Sequence, residues 1–301
     1  MASSYTLKID AAEAPQIRQF FLEHGFEFSD APHAFWRAKG VGCVAVFYAS
    51  GKLLLQGKEA DVWRGLLGDE TADARPFHRA LQKQPKPAPT RWVGTDEAGK
   101  GDYFGPLVVA GVAIRRGDLD ILQTLGVDDS KAIPDARIGQ MEQGIKALCD
   151  TEVIFIGPAK YNALYAKFEN LNRLMAWAHS KVIENLLERN ADERPDWILV
   201  DRFANDKVMT RALGPLARET RFDQWPRAEE DPAVAAASVL ARGAFLRGLA
   251  SLSRKYGVQL RAGAGQPTLA SARTFIDRHG KGELGQVAKL HFKTTDQVGG
   301  R

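Results

Sequence analysis

Residues 92–111 read WVGTDEAGKGDYFGPLVVAG, and this run decides how the rest of the chain is read. A short apolar strand signal ends in adjacent carboxylates, Asp96 and Glu97. A turn rich in glycine and lysine follows, then a second apolar run from Pro106. Neighbouring acids at a strand end repel each other unless a cation or a hydrogen-bond network offsets the repulsion. The pair is therefore a candidate metal site. Taken alone, it also reads as a charged, solvated turn between two strands, and the surrounding sequence has to separate the two readings.

Outward from this run, strands alternate with helices. Strand signals occur at Arg91–Asp96, Pro106–Arg115 and Thr151–Ile156, and helices are predicted over Ala136–Asp150, Tyr161–Lys167 and Asn172–Asn190. In the last helix Leu174, Trp177, Val182, Leu186 and Leu187 form a broad apolar stripe. Asp196–Asp201 is a near-continuous apolar run ending on an acid, the pattern of a buried central strand. Ala233–Leu249 is a long helix rich in small residues. Alternating strands and helices make this part α/β.

In open sheets, ligands gather outside the carboxyl ends of strands. Asp96 and Asp201 both stand at such ends, and Glu97 adds a third acid. Glu229, Glu230 or Asp231, just before the alanine-rich helix, offers a fourth, although acids there also suit the helix dipole. Oxygen donors without a His/Cys cluster favour hard Mg2+ or Mn2+ over zinc. Two such ions could serve in-line displacement at a phosphodiester. The Gly99-Lys100-Gly101 turn is not a P-loop, since the four-residue gap and the Ser/Thr after lysine are missing. Its glycines would let backbone amides approach a sugar-phosphate chain, with Lys100 adding a compact charge.

The first part of the chain is a smaller unit. A strand at Tyr5–Ile9 precedes a helix at Ala12–His24, then strands at Ala34–Ala38, Gly42–Ala49 and Lys52–Gln56, and a closing helix at Lys58–Leu67. An antiparallel sheet with helices on one face is expected. Residues 71–90, with Pro85, Pro87 and Pro89, are expected to be a Pro-rich linker. The expected domains are thus 1–70, the linker 71–90, and 91–301.

Hydrophobic residues make up 45% and charged residues 26% of the 301, an ordinary globular balance. The net charge of +4 suits a polyanionic partner without requiring one. No run reaches the ~18 apolar residues of a membrane span, and the first residues lack a basic segment followed by an apolar core, so neither membrane nor secretion is expected. Cys43 and Cys149 lack metal-type spacing and read as reduced thiols of a cytoplasmic protein.

Residues 96–106, DEAGKGDYFGP, resemble the signature of the type 2 ribonucleases H. The Asp-Tyr-Phe-Gly-Pro continuation is similar to ribonuclease HIII rather than ribonuclease HII. Asp129-Ser130-Lys131, Asn170-Leu171-Asn172, the Asp201 strand end, the helix segment 235–242, Gly263–Gly265 and His291-Phe292 resemble further family segments in the same order. Arg227-Ala228-Glu229 resembles the family's Lys-Ala-Glu, with arginine for lysine, and makes Glu229 the chosen fourth acid, Glu230 and Asp231 being the alternatives.

The resemblance covers about residues 90–296. It implies a ribonuclease H-like mixed sheet with flanking helices, preceded by a small α+β domain similar to the TATA-binding protein that binds substrate. It implies an endonuclease cleaving the RNA strand of RNA–DNA hybrids to 5′-phosphomonoesters, with Mg2+ or Mn2+ held by Asp96, Glu97, Asp201 and Glu229. Gly99, Lys100, Gly101, Ser130 and Lys131 are then substrate contacts, although Ser130 and Lys131 also fit a solvated turn. His291 suits either a phosphate or water contact or a packed core histidine. In the first domain Arg37, Lys39, Lys52 and Lys58 are candidate phosphate contacts, although they fit the solvated face of a domain at least as well. A monomer without an obligate protein partner is the default. The alternatives are ribonuclease HII-like incision at a single embedded ribonucleotide, and a hybrid-binding protein without turnover.

Overall fold

A computed structural model describes residues 3–70, 76–127 and 135–299. The chain forms two compact units, Met1–Arg79 and Ala80–Arg301. In the first, β1 (Ser3–Lys8), α1 (Ala14–Glu23), β2 (Glu27–Ser29), β3 (Ala34–Gly40), β4 (Cys43–Tyr48), β5 (Lys52–Gly57) and α2 (Ala60–Glu70) follow one another. The sheet is antiparallel throughout, in the order β1-β5-β4-β3-β2. Side chains alternate across its faces. Trp36, Ala38, Ala45, Phe47, Leu53 and Leu55 are buried with Ile17, Phe20, Phe21 and Trp63 of the helices. Phe35, Arg37, Lys39, Lys52 and Gln56 are exposed.

The segment expected to be a linker contains a helix, α3 (Pro76–Lys83). Pro76 opens it, where a missing N–H costs nothing. Residues 84–90 have no helix or strand, as proline spacing dictates, yet Gln84 is buried. Its amide donates to Asp231 at 3.2 Å and its carbonyl accepts from Arg116 at 2.7 Å. This stretch is part of the second unit's packing rather than a free spacer.

The second unit continues with β6 (Arg91–Ala98), β7 (Leu107–Arg115), α4 (Leu119–Thr124), α5 (Asp135–Leu148), β8 (Asp150–Ile156), α6 (Pro158–Phe168) and α7 (Leu171–Arg189). Then come β9 (Trp197–Asp201), α8 (Asp206–Ala212), α9 (Pro215–Glu219), β10 (Arg221–Trp225), α10 (Pro232–Tyr256), α11 (Gln266–His279) and α12 (Lys293–Gly299). The sheet order is β10-β9-β6-β7-β8. β10, β9 and β6 are parallel, and β7 is antiparallel to both β6 and β8. Trp92, Val108, Ala110, Val112 and Leu199 face one core with α10 and α5, while Val93, Val109, Ile198 and Val200 face another with α7. The sheet is thus sandwiched, and its central strands β6, β7 and β9 are buried on both faces.

Glycines set how close the helices come. A Cβ on Gly94 would lie 2.3 Å from the Val234 backbone nitrogen of α10, and one on Gly111 would lie 2.4 Å from Val182 of α7. α10 is long and apolar enough to cross a membrane by length and composition, although Arg242 and Arg247 interrupt its apolar run. Its apolar residues are buried against the sheet, which accounts for that composition.

Gly94→Ala is expected to destabilise the protein by about 1–3 kcal/mol or more through overpacking against a helix backbone that cannot retreat. Gly139→Ala, in the middle of α5 with nothing within 4 Å of the added carbon, is expected to gain about 0.5–1 kcal/mol. Urea denaturation of the two variants measures both, and equal effects would contradict the close approach at Gly94.

Candidate active site

The parallel register of β6 with β9 pairs Thr95 with Val200. One step further along each strand stand Asp96 and Asp201, so the two acids are lateral neighbours at adjacent carboxyl ends. Asp96 keeps a window to solvent but is otherwise enclosed. Burial, followed by the charges of Glu97 and Asp201, pushes its carboxyl well above the usual carboxylate range. The Glu97 N–H donates to it at 2.8 Å, and Ser238 of α10 donates a hydroxyl hydrogen bond. These bonds favour the charged form and oppose the rise.

Glu97 is adjacent to Asp96 in sequence and therefore faces the other side of the sheet. There it meets α7. His179 Nε2 lies 3.3 Å from Glu97 Oε2, and Lys100 Nζ lies 3.5 Å from Oε1. Burial alone would raise the Glu97 carboxyl, but the His179 hydrogen bond and the charges of His179 and Lys100 hold it below its ordinary value. His179 is wholly buried, its Nδ1 lies 2.8 Å from Thr95 Oγ1, and its ring stacks on Phe203 at 4.9 Å.

The region of the fourth acid is a tight turn, Ala228–Glu230, entered through Arg227 in a left-handed conformation (φ 59°). The Ala228 N–H donates to Asp201 Oδ1 at 2.8 Å, which ties the turn that carries Glu229 to the second strand end. The two alternatives are engaged elsewhere. Asp231 caps α10 by accepting from the Ala233 N–H, and it also accepts from Trp92 Nε1 at 3.0 Å, wholly buried. Glu230 pairs with Lys83 at 3.2 Å and with Arg227 at 3.0 Å.

The Gly99–Gly105 turn owes its shape to glycine at two points. Gly99 (φ 88°) has no room for a Cβ, which would lie 2.2 Å from the Pro106 carbonyl oxygen, and Gly105 has φ 85°. Gly101 has nothing within 4 Å of that position, so the turn is open there. The C-terminal segment holds the turn from behind. Tyr103 N–H donates to Gly263 O, Gly105 N–H to Val287 O, and Lys289 N–H to Tyr103 O, each at 2.9–3.0 Å. The buried Lys289 ammonium adds bonds to the carbonyls of Asp102 and Gly105 at 2.8 and 2.9 Å.

Ser130 and Lys131, with the rest of 128–134, lie outside the described residues. Asn170 is a helix cap, its side chain accepting from the N–H groups of Asn172 and Arg173. His291 is an exposed residue whose ring stacks on Tyr165 at 4.3 Å. Both thiols are raised by burial, Cys149 to about 12, so neither is a ready nucleophile.

Among the described residues, no three Asp, Glu, His or Cys side chains already close on one point as a metal cage. The donor chemistry nevertheless fits a divalent ion. A crowded carboxyl at Asp96 lacks sufficient positive charge, and a lysine ammonium stands against Glu97 as a substitute cation. Sequence reading missed His179, Phe203 and Lys289. The signal for His179 is a polar ring at the apolar spacing of Met175 and Val182, residues that bury the same face of α7. Trp177, assigned to that stripe, is only partly buried and packs on Phe168 at 5.8 Å.

A mixed five-stranded sheet with acids at neighbouring parallel strand ends is the arrangement of a ribonuclease H-class nuclease. Residues 93–295 match the family model described as Ribonuclease HII. Ribonuclease HIII of Protochlamydia amoebophila (strain UWE25) is 37% identical over 298 residues, 99% of this chain and 97% of that protein. Ribonuclease HIII of Chlamydia pneumoniae is 35% identical over 302 residues, 99% of each. The crystal structure of Bst-RNase HIII in complex with Mn2+ shares 30% identity and a TM-score of 0.71, covering 99% of this chain and 98% of that one. The chain belongs to the type 2 ribonuclease H family, in the branch of the ribonucleases HIII.

Burial draws the Lys289 amine down to about 7. Between that value and its ordinary 10.5 the unfolded chain holds the proton more firmly than the folded one, so this group's penalty on stability eases as pH rises. In thermal melts, the stability of the wild type relative to Lys289→Met is expected to grow over that interval and to be level below it. A pH-independent difference would contradict the assignment.

Proposed function

We propose that the protein is an endoribonuclease of the ribonuclease HIII type. It cleaves the RNA strand of RNA–DNA hybrids with Mg2+ or Mn2+ and leaves 5′-phosphate ends. The observation that carries this reading is the side-by-side placement of Asp96 and Asp201 at parallel strand ends, with Glu97 next to Asp96 in the chain and the Glu229 turn bonded to Asp201. In this reading Asp96, Glu97, Asp201 and Glu229 hold the metal. Divalent ions bound there supply water activation and charge neutralisation at the scissile phosphodiester.

The protein's own contribution is placement. Ser238 and the Glu97 N–H aim Asp96, and the Ala228 N–H aims Asp201. The Gly99–Gly101 turn offers backbone and the Lys100 charge to the substrate chain, and recognition of the ribose 2′-OH distinguishes RNA from DNA. Ser130 and Lys131 remain candidate phosphate contacts. In this reading the enzyme is a cytoplasmic monomer.

The first unit acts as the substrate-binding domain. Cross-strand pairing supports this: Arg37 stands opposite Val46, Lys39 opposite Val44, and Lys52 opposite Tyr48. The face away from α1 and α2 thus carries cations around Val44, Val46 and Phe35, a surface suited to a sugar-phosphate backbone. Lys58 follows the end of β5 and is not in that array.

Asp96→Asn is expected to lower cleavage of a labelled RNA–DNA hybrid by at least about 10²–10³-fold, the scale of losing a charge-stabilising group, while hybrid binding stays. Surviving activity would refute the acid assignment, and binding without cleavage by the wild type under either metal would leave only the hybrid-binding alternative. A substrate with several consecutive ribonucleotides is expected to be cut far better than one with a single embedded ribonucleotide, and the reverse would indicate ribonuclease HII-like incision.

The combined variant Arg37→Ala, Lys39→Ala and Lys52→Ala is expected to raise KM for the hybrid and flatten its salt dependence, with kcat near the wild type. An unchanged KM would remove the first unit from substrate binding.

A further inference from the structure

We infer that His179 is a positioning residue for Glu97, holding one carboxylate oxygen so that the other is presented to the metal. The inference rests on Glu97 being a metal ligand.

His179 is wholly buried on the apolar face of α7, where an unsatisfied imidazole would be costly. Each of its nitrogens has a partner on the same face of β6. Nδ1 lies 2.8 Å from Thr95 Oγ1 and Nε2 lies 3.3 Å from Glu97 Oε2. An ionised carboxylate only accepts, so Nε2 carries a proton toward Glu97, while Nδ1 is satisfied by the Thr95 hydroxyl. The stack on Phe203, at 4.9 Å and 16° between ring planes, fixes the remaining rotation of the imidazole.

The consequence is a division of labour between the two oxygens of Glu97. Oε2 is engaged inward by His179, while Oε1 faces Lys100 Nζ at 3.5 Å. The lysine side chain is 36% exposed and its ammonium also lies 5.6 Å over the Phe203 ring, so it can swing away when an ion arrives. The histidine is enclosed and cannot. A carboxylate with one oxygen anchored loses less freedom on binding a cation than one that rotates, the same reason that hydrogen-bonded partners behind metal ligands raise affinity.

The test is Mn2+ binding to the full chain without substrate, measured by titration calorimetry, together with the Mn2+ concentration giving half-maximal hybrid cleavage. His179→Phe keeps a ring against Phe203 and loses both hydrogen bonds. It is expected to weaken Mn2+ binding by about 10–100-fold. His179→Gln places an amide nitrogen near the Nε2 position and is expected to recover most of that affinity. His179→Asn reaches only the Nδ1 position and is expected to behave like the phenylalanine variant. Should His179→Phe fail to fold, the Gln and Asn variants decide: a clear advantage for Gln supports the inference, and equal affinities overturn it. Wild-type Mn2+ affinity in His179→Phe, while Glu97→Gln loses binding, would leave His179 a core histidine. Unchanged binding in Glu97→Gln would instead overturn Glu97 as a ligand, and the inference with it.

Discussion

Several carboxylates must be kept close together inside a protein for this site to exist, and the force opposing that is their mutual repulsion. Asp96 shows its size in direction: burial, Glu97 and Asp201 together drive its carboxyl well above the usual range. Only a rigid frame can hold such groups in place. That frame is the parallel pairing of β6 with β9, clamped between α10 on one face and α7 on the other. Gly94 and Gly111 allow the helices to approach the sheet closely, and the approach is what brings Ser238 to Asp96 and His179 to Glu97.

The helices have a second job besides filling the core. α10 is anchored at its first turn by Asp231, whose carboxylate also takes the indole N–H of Trp92 and the amide of Gln84. The same residues therefore register the helix against β6 and fasten the stretch after α3 to the second unit. The C-terminal segment plays a comparable part for the glycine turn. Lys289 and the backbone of Gly263 and Val287 support from behind a loop whose open side, at Gly101, faces outward. A flexible glycine loop becomes a defined surface because distant chain is bonded to it.

What was legible in the sequence was what short-range pattern encodes. The apolar runs ending on Asp96 and Asp201 announce buried strands with acids at their ends, and β6 and β9 are those strands. β10 could not be read in the same way. Arg221–Trp225 has no apolar alternation, because an edge strand is defined by the pairing that β9 offers rather than by its own burial. α3 escaped for a related reason, since the prolines that follow it dominate the local signal. Among the three neighbouring acids, Glu229 was chosen on the family resemblance alone, because what Asp231 and Glu230 bond to is tertiary: Asp231 is a buried cap and Glu230 is held in ion pairs.

The sequence by itself determined the kinds of group available: acids at strand ends, a glycine-lysine turn, a motif order shared with the type 2 ribonucleases H, and no His/Cys cluster to compete for a hard cation. It could do so because strand periodicity and motif spacing are local properties of the chain. Only the tertiary structure decided which groups meet. Asp96 and Glu97 are neighbours in sequence but face opposite sides of the sheet, so one is governed by α10 and the other by α7. His179 lies far along the chain from Glu97 and acquires its partner only when α7 packs on β6, because side-chain contact across a sheet depends on three-dimensional register, which no local pattern records.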